Sequence, residues 1–168
     1  MAPFPWRPGM RVDDVRLNEH LPVTATKSAT ETRTSTTVTA DPELVVALDE
    51  GTWDVRMRVS FAGTATVNSG VVVQWLLSTG VALVGFRLVQ GPAPGSSGPS
   101  SVSMRASVNS ATTSVEYGAS ASFATIEEAC QVAVPSGGGT VTFGWGKAAA
   151  GAQAQIGGGS WINAHRVA

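Results

Sequence analysis

One run of the chain alternates apolar and polar side chains more strictly than any other. Every second position of residues 53–61 is apolar: Trp53, Val55, Met57, Val59 and Phe61. The positions between them are polar: Asp54, Arg56, Arg58 and Ser60. Because successive side chains of a β-strand point to opposite faces, this period predicts a strand. One face of that strand belongs in a core, and the other lies in water or at an interface.

Short segments with strand composition recur along the chain, separated by Gly, Pro and Asp turn signals. They cover residues 32–39, 44–48, 71–77, 81–89, 102–108, 113–117, 140–145 and 160–167. Residues 71–77 and 81–89 are apolar on both faces, which predicts central strands covered on each side. Residues 123–134 are expected to begin with a helical turn at Ile126-Glu127-Glu128 and to continue as a strand. This spacing predicts an all-β fold, an antiparallel β-sandwich or jelly roll, over residues 31–168.

Residues 1–30 have the composition of an extended N-terminal arm. Three prolines, at positions 3, 5 and 8, disfavour helix and pre-set extended backbone. The aromatic side chains between them either fold back on their own domain or anchor on a neighbouring protein, and the pattern leaves both open. In the second case the predicted partner-binding residues of the arm are Phe4, Trp6, Arg7 and Arg11.

The side chains that usually carry chemistry are scattered. The two histidines, His20 and His165, stand in no metal-binding pair, and the chain has no Gly-x-Ser-x-Gly nucleophile motif. The carboxylates occur as adjacent pairs such as Glu127-Glu128, which point to opposite faces of a strand and make poor acid/base dyads. The single cysteine, Cys130, lies in an apolar run and is interpreted as a small core residue. We therefore expect no catalytic residue, metal or cofactor.

The charge distribution narrows the choice of partners. The net charge is −1 and the eleven basic residues form no cluster, which argues against nucleic acid as the main partner. No apolar stretch reaches the roughly 20 residues that cross a bilayer, so we expect no contact with a membrane. The N-terminus lacks the features of a secretory signal, so we expect synthesis in the cytoplasm. Charged residues make up only 14% of the chain, against roughly 25% in an average domain. Such a surface suits a chain that works inside an assembly.

Five tryptophans offer large apolar surfaces for a core, for a subunit interface or for stacking against a sugar. Most of them lie on alternating apolar faces, which favours core or interface over a sugar platform. In the last predicted strand, His165 shares a face with Trp161, Asn163 and Val167.

Motifs at the two ends of the chain carry a family resemblance. They are Trp6-Arg7-Pro8-Gly9, Asp49-Glu50-Gly51-Thr52-Trp53, residues 139–145 and residues 159–167. This arrangement resembles virion accessory proteins of tailed phages that infect actinobacteria. The resemblance implies a jelly roll similar to tumour-necrosis-factor-like domains, which forms homotrimers on a capsid or tail and has no catalytic residues.

On this resemblance, we expect a capsid decoration protein that binds and stabilises the outer capsid surface. Its partners would be its own copies and the major capsid protein or a tail protein. The residues expected at the oligomer interface are Trp145, Trp161, Asn163 and His165. The alternative is a minor tail or fibre protein whose jelly roll binds a carbohydrate or receptor, such as a host-surface glycan. Either would be located on the outer surface of the virion.

Overall fold

A computed structural model describes residues 21–63, 70–95, 103–119, 122–149 and 151–167 of the chain. Within these ranges all regular structure is β-strand, in twelve segments. The strands are β1 (Val23–Thr26), β2 (Glu31–Arg33), β3 (Thr39–Leu48), β4 (Gly51–Gly63), β5 (Gly70–Leu77), β6 (Ala82–Pro92), β7 (Ser103–Val108), β8 (Val115–Gly118), β9 (Ala124–Val134), β10 (Gly139–Lys147), β11 (Ala154–Ile156) and β12 (Trp161–Arg166). The prediction of an all-β chain is confirmed.

The strands form two antiparallel sheets that pack face to face. The large sheet has the order β1-β12-β4-β9-β6-β7, with β11 bridging β4 and β2, and the small sheet has the order β3-β10-β5-β8. From β3 to β12 the chain passes repeatedly from one sheet to the other, as in jelly rolls. The predicted antiparallel β-sandwich is therefore the fold that the structure shows.

The core lies between the sheets and collects the inward side of each alternation. In β4 the inward side chains are the predicted ones, from Trp53 to Phe61, and all five are buried. The small sheet supplies four large aromatic side chains, Trp75, Tyr117, Phe143 and Trp145. The hydrophobic effect holds these residues in the core, because burying the apolar face of each strand removes that surface from water.

Two local predictions were wrong. The segment 126–128 is not a helical turn but part of the continuous strand β9, which pairs with β4 on one side and β6 on the other. Strand β6 is not covered on both faces, because its outward side chains Val84, Phe86 and Leu88 are exposed in the folded chain. Its apolar outer face is a surface feature and not part of the core.

The described part of the predicted arm begins at residue 21. Within it, Val23–Thr26 forms β1, which pairs along its whole length with β12 at the edge of the large sheet. Residues 23–26 therefore belong to the sandwich. The residues predicted to bind a partner, Phe4, Trp6, Arg7 and Arg11, lie outside the described residues.

Candidate functional site

The outer face of the large sheet carries both charged and apolar exposed side chains. Strand register sets its rows: Trp161 lies opposite Arg58, which lies opposite Glu127. In the next row Asn163 lies opposite Arg56, which lies opposite Ala129. Arg56 and Arg58 occupy the polar positions of β4, whose apolar positions point into the core. This face divides into two parts, which we call the polar half and the apolar half.

The polar half lies on β12, β4 and β1. Here Trp161, Asn163 and His165 line one groove of about 430 Å³ together with Thr24, Asp54 and Arg56. Asn163 donates from Nδ2 to Thr24 Oγ1 at 2.6 Å, and the Arg56 guanidinium lies 3.0 Å from an Asp54 carboxylate oxygen. The prediction that Trp161, Asn163 and His165 share a face is confirmed. Their predicted role at an oligomer interface remains a prediction.

The apolar half is the exposed stretch of β6. Its three side chains keep large exposed fractions: 42% for Val84, 60% for Phe86 and 45% for Leu88. The backbone causes this arrangement, since Val84 pairs with Gln131 and Leu88 with Ala129, which leaves two extra residues on β6. Gly85, with φ of 78°, takes the left-handed conformation that this bulge requires. The bulge pushes Phe86 outward and turns Arg87 into the core.

Trp145, the fourth residue expected at an oligomer interface, lies elsewhere. Its side chain is fully buried between the sheets, and its Nε1 donates to Asp41 Oδ2 at 3.0 Å. The Arg33 guanidinium stacks on its ring, 4.1 Å from the centroid. A side chain that is already covered within one chain has no surface left for a partner. The expectation of an interface role for Trp145 is therefore wrong.

A buried lysine joins the two sheets beside Trp145. Lys27 is 2% exposed, and its Nζ donates to Asp41 Oδ2 and to Glu31 Oε2 at 2.8 Å each. Glu43 Oε2 lies 3.3 Å from the same nitrogen. Burial alone would lower the pKa of Lys27, but the hydrogen bonds and charges of Asp41 and Glu31 outweigh it and raise the pKa. This lysine cluster fixes the segment after β1 to β2 and β3.

A second buried cluster centres on Glu128. Its carboxylate accepts from Trp75 Nε1 and from the Tyr117 hydroxyl, both at 2.5 Å, and one oxygen lies 3.2 Å from Arg87 Nε. The other guanidinium nitrogens of Arg87 donate to the carbonyl oxygens of Ala111 and Thr113. Burial raises the pKa of Glu128, and the nearby Arg87 acts in the opposite direction. The Arg87 and Glu128 side chains are both fully buried. Because Glu128 also accepts from Trp75 and Tyr117 of the small sheet, the pair links β6 and β9 to that sheet.

These clusters explain the buried charges without invoking a reaction. Each charged group faces an opposite charge and fixed hydrogen-bond partners, which is how structural ion pairs are arranged. Burial also raises the pKa of the Cys130 thiol to about 12, which opposes formation of a thiolate nucleophile. Among the described residues, no group of three or more His, Cys, Asp or Glu could hold a metal ion. Over the same ranges, no helix is long and apolar enough to cross a membrane.

Sequence reasoning missed the buried roles of Lys27, Asp41, Arg87 and Glu128. Charged residues are rarely buried unless they are paired, and the partners here are separated along the chain. One signal was available: Asp41-Pro42 interrupts a strand pattern, and in the structure Asp41 turns inward where the pairing of β3 with β10 is irregular. There its carboxylate accepts from the backbone N–H groups of Glu43 and Leu44.

Comparison with known proteins gives only distant likenesses. No protein-family model matches the chain, and no curated protein matches it. A bacterial lipoprotein from Bacteroides thetaiotaomicron is 9% identical with a TM-score of 0.23, covering 96% of this chain and 93% of that one. Infectious bursal disease virus of the Gt strain gives 9% identity, a TM-score of 0.24 and coverage of 100% of this chain and 43% of that one. The Gx strain of the same virus gives 8% identity and a TM-score of 0.22, covering 88% of this chain and 36% of that one.

This chain therefore spans less than half the length of the viral chains with which it aligns. The TM-scores are too low for any of these proteins to lend this chain a function. What the outer face does is argued from its own residues.

Proposed function

We propose that this chain is a structural protein of a bacteriophage virion, a homotrimeric decoration protein that binds and stabilises the outer capsid surface. The apolar half of the large sheet is the observation that carries this proposal. Val84, Phe86 and Leu88 are exposed together on the outward side of β6, where a chain that worked alone would be expected to carry polar side chains. The family resemblance of the terminal motifs supplies the virion context.

A sister copy is the occupant that we assign to the apolar half. Full burial of such a side chain is worth about 1.5–3 kcal/mol, so covering three that are about half exposed contributes roughly 2–4 kcal/mol per copy. No charged side chain interrupts the three on the outward side of β6. Central parts of protein interfaces are depleted in charge in this way. Closed symmetric homo-oligomers are the common means of covering such a surface.

The N-terminal segment is assigned to the particle. The chain enters the sandwich at β1, whose partner β12 is held by β4. Immediately after β1, Lys27 is buried against Asp41 and Glu31. A partner bound by Phe4 and Trp6 would therefore be connected to the sandwich through a strand and a buried ion pair. This connection suits a decoration protein that clamps neighbouring capsid subunits.

Light scattering on the purified chain tests the oligomer. We expect a mass of about three chains at micromolar concentration. Phe86→Asp should give monomers, because it places a charge in the contact between copies. Val45→Asp is the matched control, since Val45 is 38% exposed on the small sheet and lies outside the proposed contact. A monomeric wild-type chain, or a Phe86→Asp variant that remains trimeric, would contradict the assignment.

Particle binding tests the N-terminal segment. Deletion of residues 1–20 spares β1 and should leave the circular dichroism spectrum of the sandwich unchanged. We expect the shortened chain to stay trimeric and to lose its binding to capsids that lack the decoration protein. Retention of full binding by the shortened chain would refute the role of the arm.

A further inference from the structure

We propose that the polar half of the large sheet is a carbohydrate-binding site, with Trp161 as the stacking platform. This inference goes beyond decoration of a capsid, because it gives the exposed side of the particle a ligand of its own. It also assigns Trp161, Asn163 and His165 to a ligand and not to contacts between copies.

Trp161 differs from the other tryptophans that the structure describes. Trp53, Trp75 and Trp145 are buried, and each donates its indole N–H to an acceptor within the chain. Trp161 is partly exposed, and its indole nitrogen has no hydrogen-bond partner among the described residues. A flat apolar ring with an unused donor suits the C–H face of a sugar ring and one of its hydroxyl groups.

The polar groups around this ring are hydrogen-bonded to one another in pairs. Thr24 receives one N–H of the Asn163 amide, and the carbonyl oxygen of that amide remains as an acceptor. Asp54 Oδ2 accepts from Arg56 Nε at 3.1 Å and lies 3.0 Å from Arg56 Nη2. Amides, guanidinium groups and carboxylates are planar and can bind two adjacent hydroxyls at once. Side chains that are already oriented lose less entropy when a ligand arrives.

The site continues across the strands as a trough. A second groove, also of about 430 Å³, shares Arg56 and Trp161 with the first, borders the apolar half at Leu88 and extends to Gln90 and Arg105. From Trp161 on β12 to Arg105 on β7 the trough crosses four strand spacings, or about 19 Å at 4.8 Å each. This length fits a linear oligosaccharide and exceeds what a single sugar ring needs.

The charges of the trough indicate which sugars it prefers. Arg56 and Arg58 have acidic partners, Asp54 and Glu127. Arg105 is exposed on β7 and has no carboxylate partner within the described ranges. An unpaired guanidinium is a ready donor to a carboxylate, so we infer that the chain binds oligosaccharides containing uronic acids in preference to neutral ones.

A contact between copies is the competing use of this surface. The central part of such a contact is usually apolar and poor in charge. Asp54 and Arg56 line the groove beside Trp161 and also border the groove that contains Val84, Phe86 and Leu88. The two surfaces differ in their other side chains: Asn163 and His165 belong to the first groove, whereas the outward side chains of β6 from Val84 to Leu88 carry no charge. The two halves are therefore suited to different partners, and the polar half fits the sugar.

Titration calorimetry on the full-length protein tests the site with two probes, a linear oligogalacturonate and a neutral cello-oligosaccharide of equal length. We expect the acidic probe to bind more tightly. Trp161→Ala should weaken both by about tenfold or more, since it removes the stacking surface. Arg105→Ala should weaken only the acidic probe and bring the two affinities together. Val45→Asp on the small sheet is the control outside the trough and should leave both affinities unchanged.

Two outcomes would overturn the proposal: no heat of binding for either probe at millimolar concentration, or a Trp161→Ala variant with unchanged affinities. Light scattering on the same samples separates this result from the assembly proposal. A Trp161→Ala variant that remains trimeric and binds no sugar supports the carbohydrate site alone. A Trp161→Ala variant that falls apart into monomers assigns Trp161 to the contact between copies and refutes the inference.

Discussion

Replacement of Arg87 by methionine tests how the buried Glu128 cluster holds the two sheets together. Methionine keeps most of the length and volume of the arginine stem but removes its charge and donors. In the variant, the Glu128 carboxylate would face only the neutral donors Trp75 and Tyr117. The carbonyl oxygens of Ala111 and Thr113 would also lose their bonds to the guanidinium.

The expected loss of stability is large for a single substitution. Removing one partner of a buried ion pair costs about 3–5 kcal/mol, because the remaining charge has no compensation. At roughly 2–4 °C per kcal/mol for a domain of this size, the melting temperature should fall by roughly 6–20 °C. A surface pair such as Arg56–Asp54 contributes about 0–1 kcal/mol and provides the contrast.

The loss should also depend on pH in a defined direction. Burial raises the pKa of Glu128 in the folded chain, and Arg87 opposes that rise. With the folded pKa above the unfolded one, stability is greatest below the unfolded pKa and declines as the pH rises through the folded pKa. Removal of Arg87 moves the folded pKa further upward. The deficit of the variant should therefore shrink as the pH falls toward the ordinary glutamate pKa of 4.5.

Urea unfolding followed by circular dichroism measures both effects, with the wild type and the double variant Arg87→Met/Glu128→Gln in parallel. The double variant lacks both the carboxyl group and the guanidinium group of the cluster, so the additional pH dependence should disappear. A loss below about 1 kcal/mol for Arg87→Met, with the same pH slope as the wild type, would refute the reasoning.

Three further outcomes follow from the structure. Lys27→Met should lower the free energy of unfolding by about 3–5 kcal/mol, because it leaves the Asp41 charge buried without its partner. In the wild type, the stabilisation by Lys27 is complete below the ordinary lysine pKa of 10.5 and is lost as the pH rises through the raised folded pKa. Unfolding curves measured at alkaline pH would show this loss. Cys130, with a pKa of about 12, should react with a thiol reagent at neutral pH only as fast as the chain unfolds, and labelling at the rate of a free thiol would contradict its burial. Gly146→Ala should cost about 1–3 kcal/mol in chemical denaturation, because the added Cβ would lie 2.8 Å from the Thr37 carbonyl oxygen; an unchanged midpoint would show that residues 34–38 do not cross β10 so closely.

The parts of the fold that sequence reasoning predicted are those encoded locally. The alternation over residues 53–61 states directly which side of β4 is buried, because a strand has a period of two whatever surrounds it. The same period placed Trp161, Asn163 and His165 on one face of β12. It could not distinguish a core aromatic from an interface aromatic, and so Trp145 was assigned to the wrong surface.

The parts that it missed depend on contacts between distant segments. Nothing near Arg87 indicates that it will be buried, since only the bulge of β6 and the position of β9 bring it to Glu128. The apolar outer face of β6 was visible in the sequence, but whether another sheet covers it is a property of the whole fold. The short pattern Ile126-Glu127-Glu128 fits a helical turn as well as a strand, and pairing with two neighbours decides it.

The edge position of β1 has a mechanical consequence. Val23–Thr26 lies antiparallel against Trp161–Ala164, so a force that pulls the chain ahead of Val23 along the strand axis loads all of their hydrogen bonds together. Hydrogen bonds loaded in shear must all break at once, whereas hydrogen bonds loaded one at a time break in sequence at a lower force. If the hydrogen bonds between β1 and β12 break, the force then acts on Lys27. The Lys27 ammonium can leave its site only if the Asp41 carboxylate remains charged and buried without its partner. A tether attached at this end of the sandwich would thus resist pulling better than the four residues of β1 suggest.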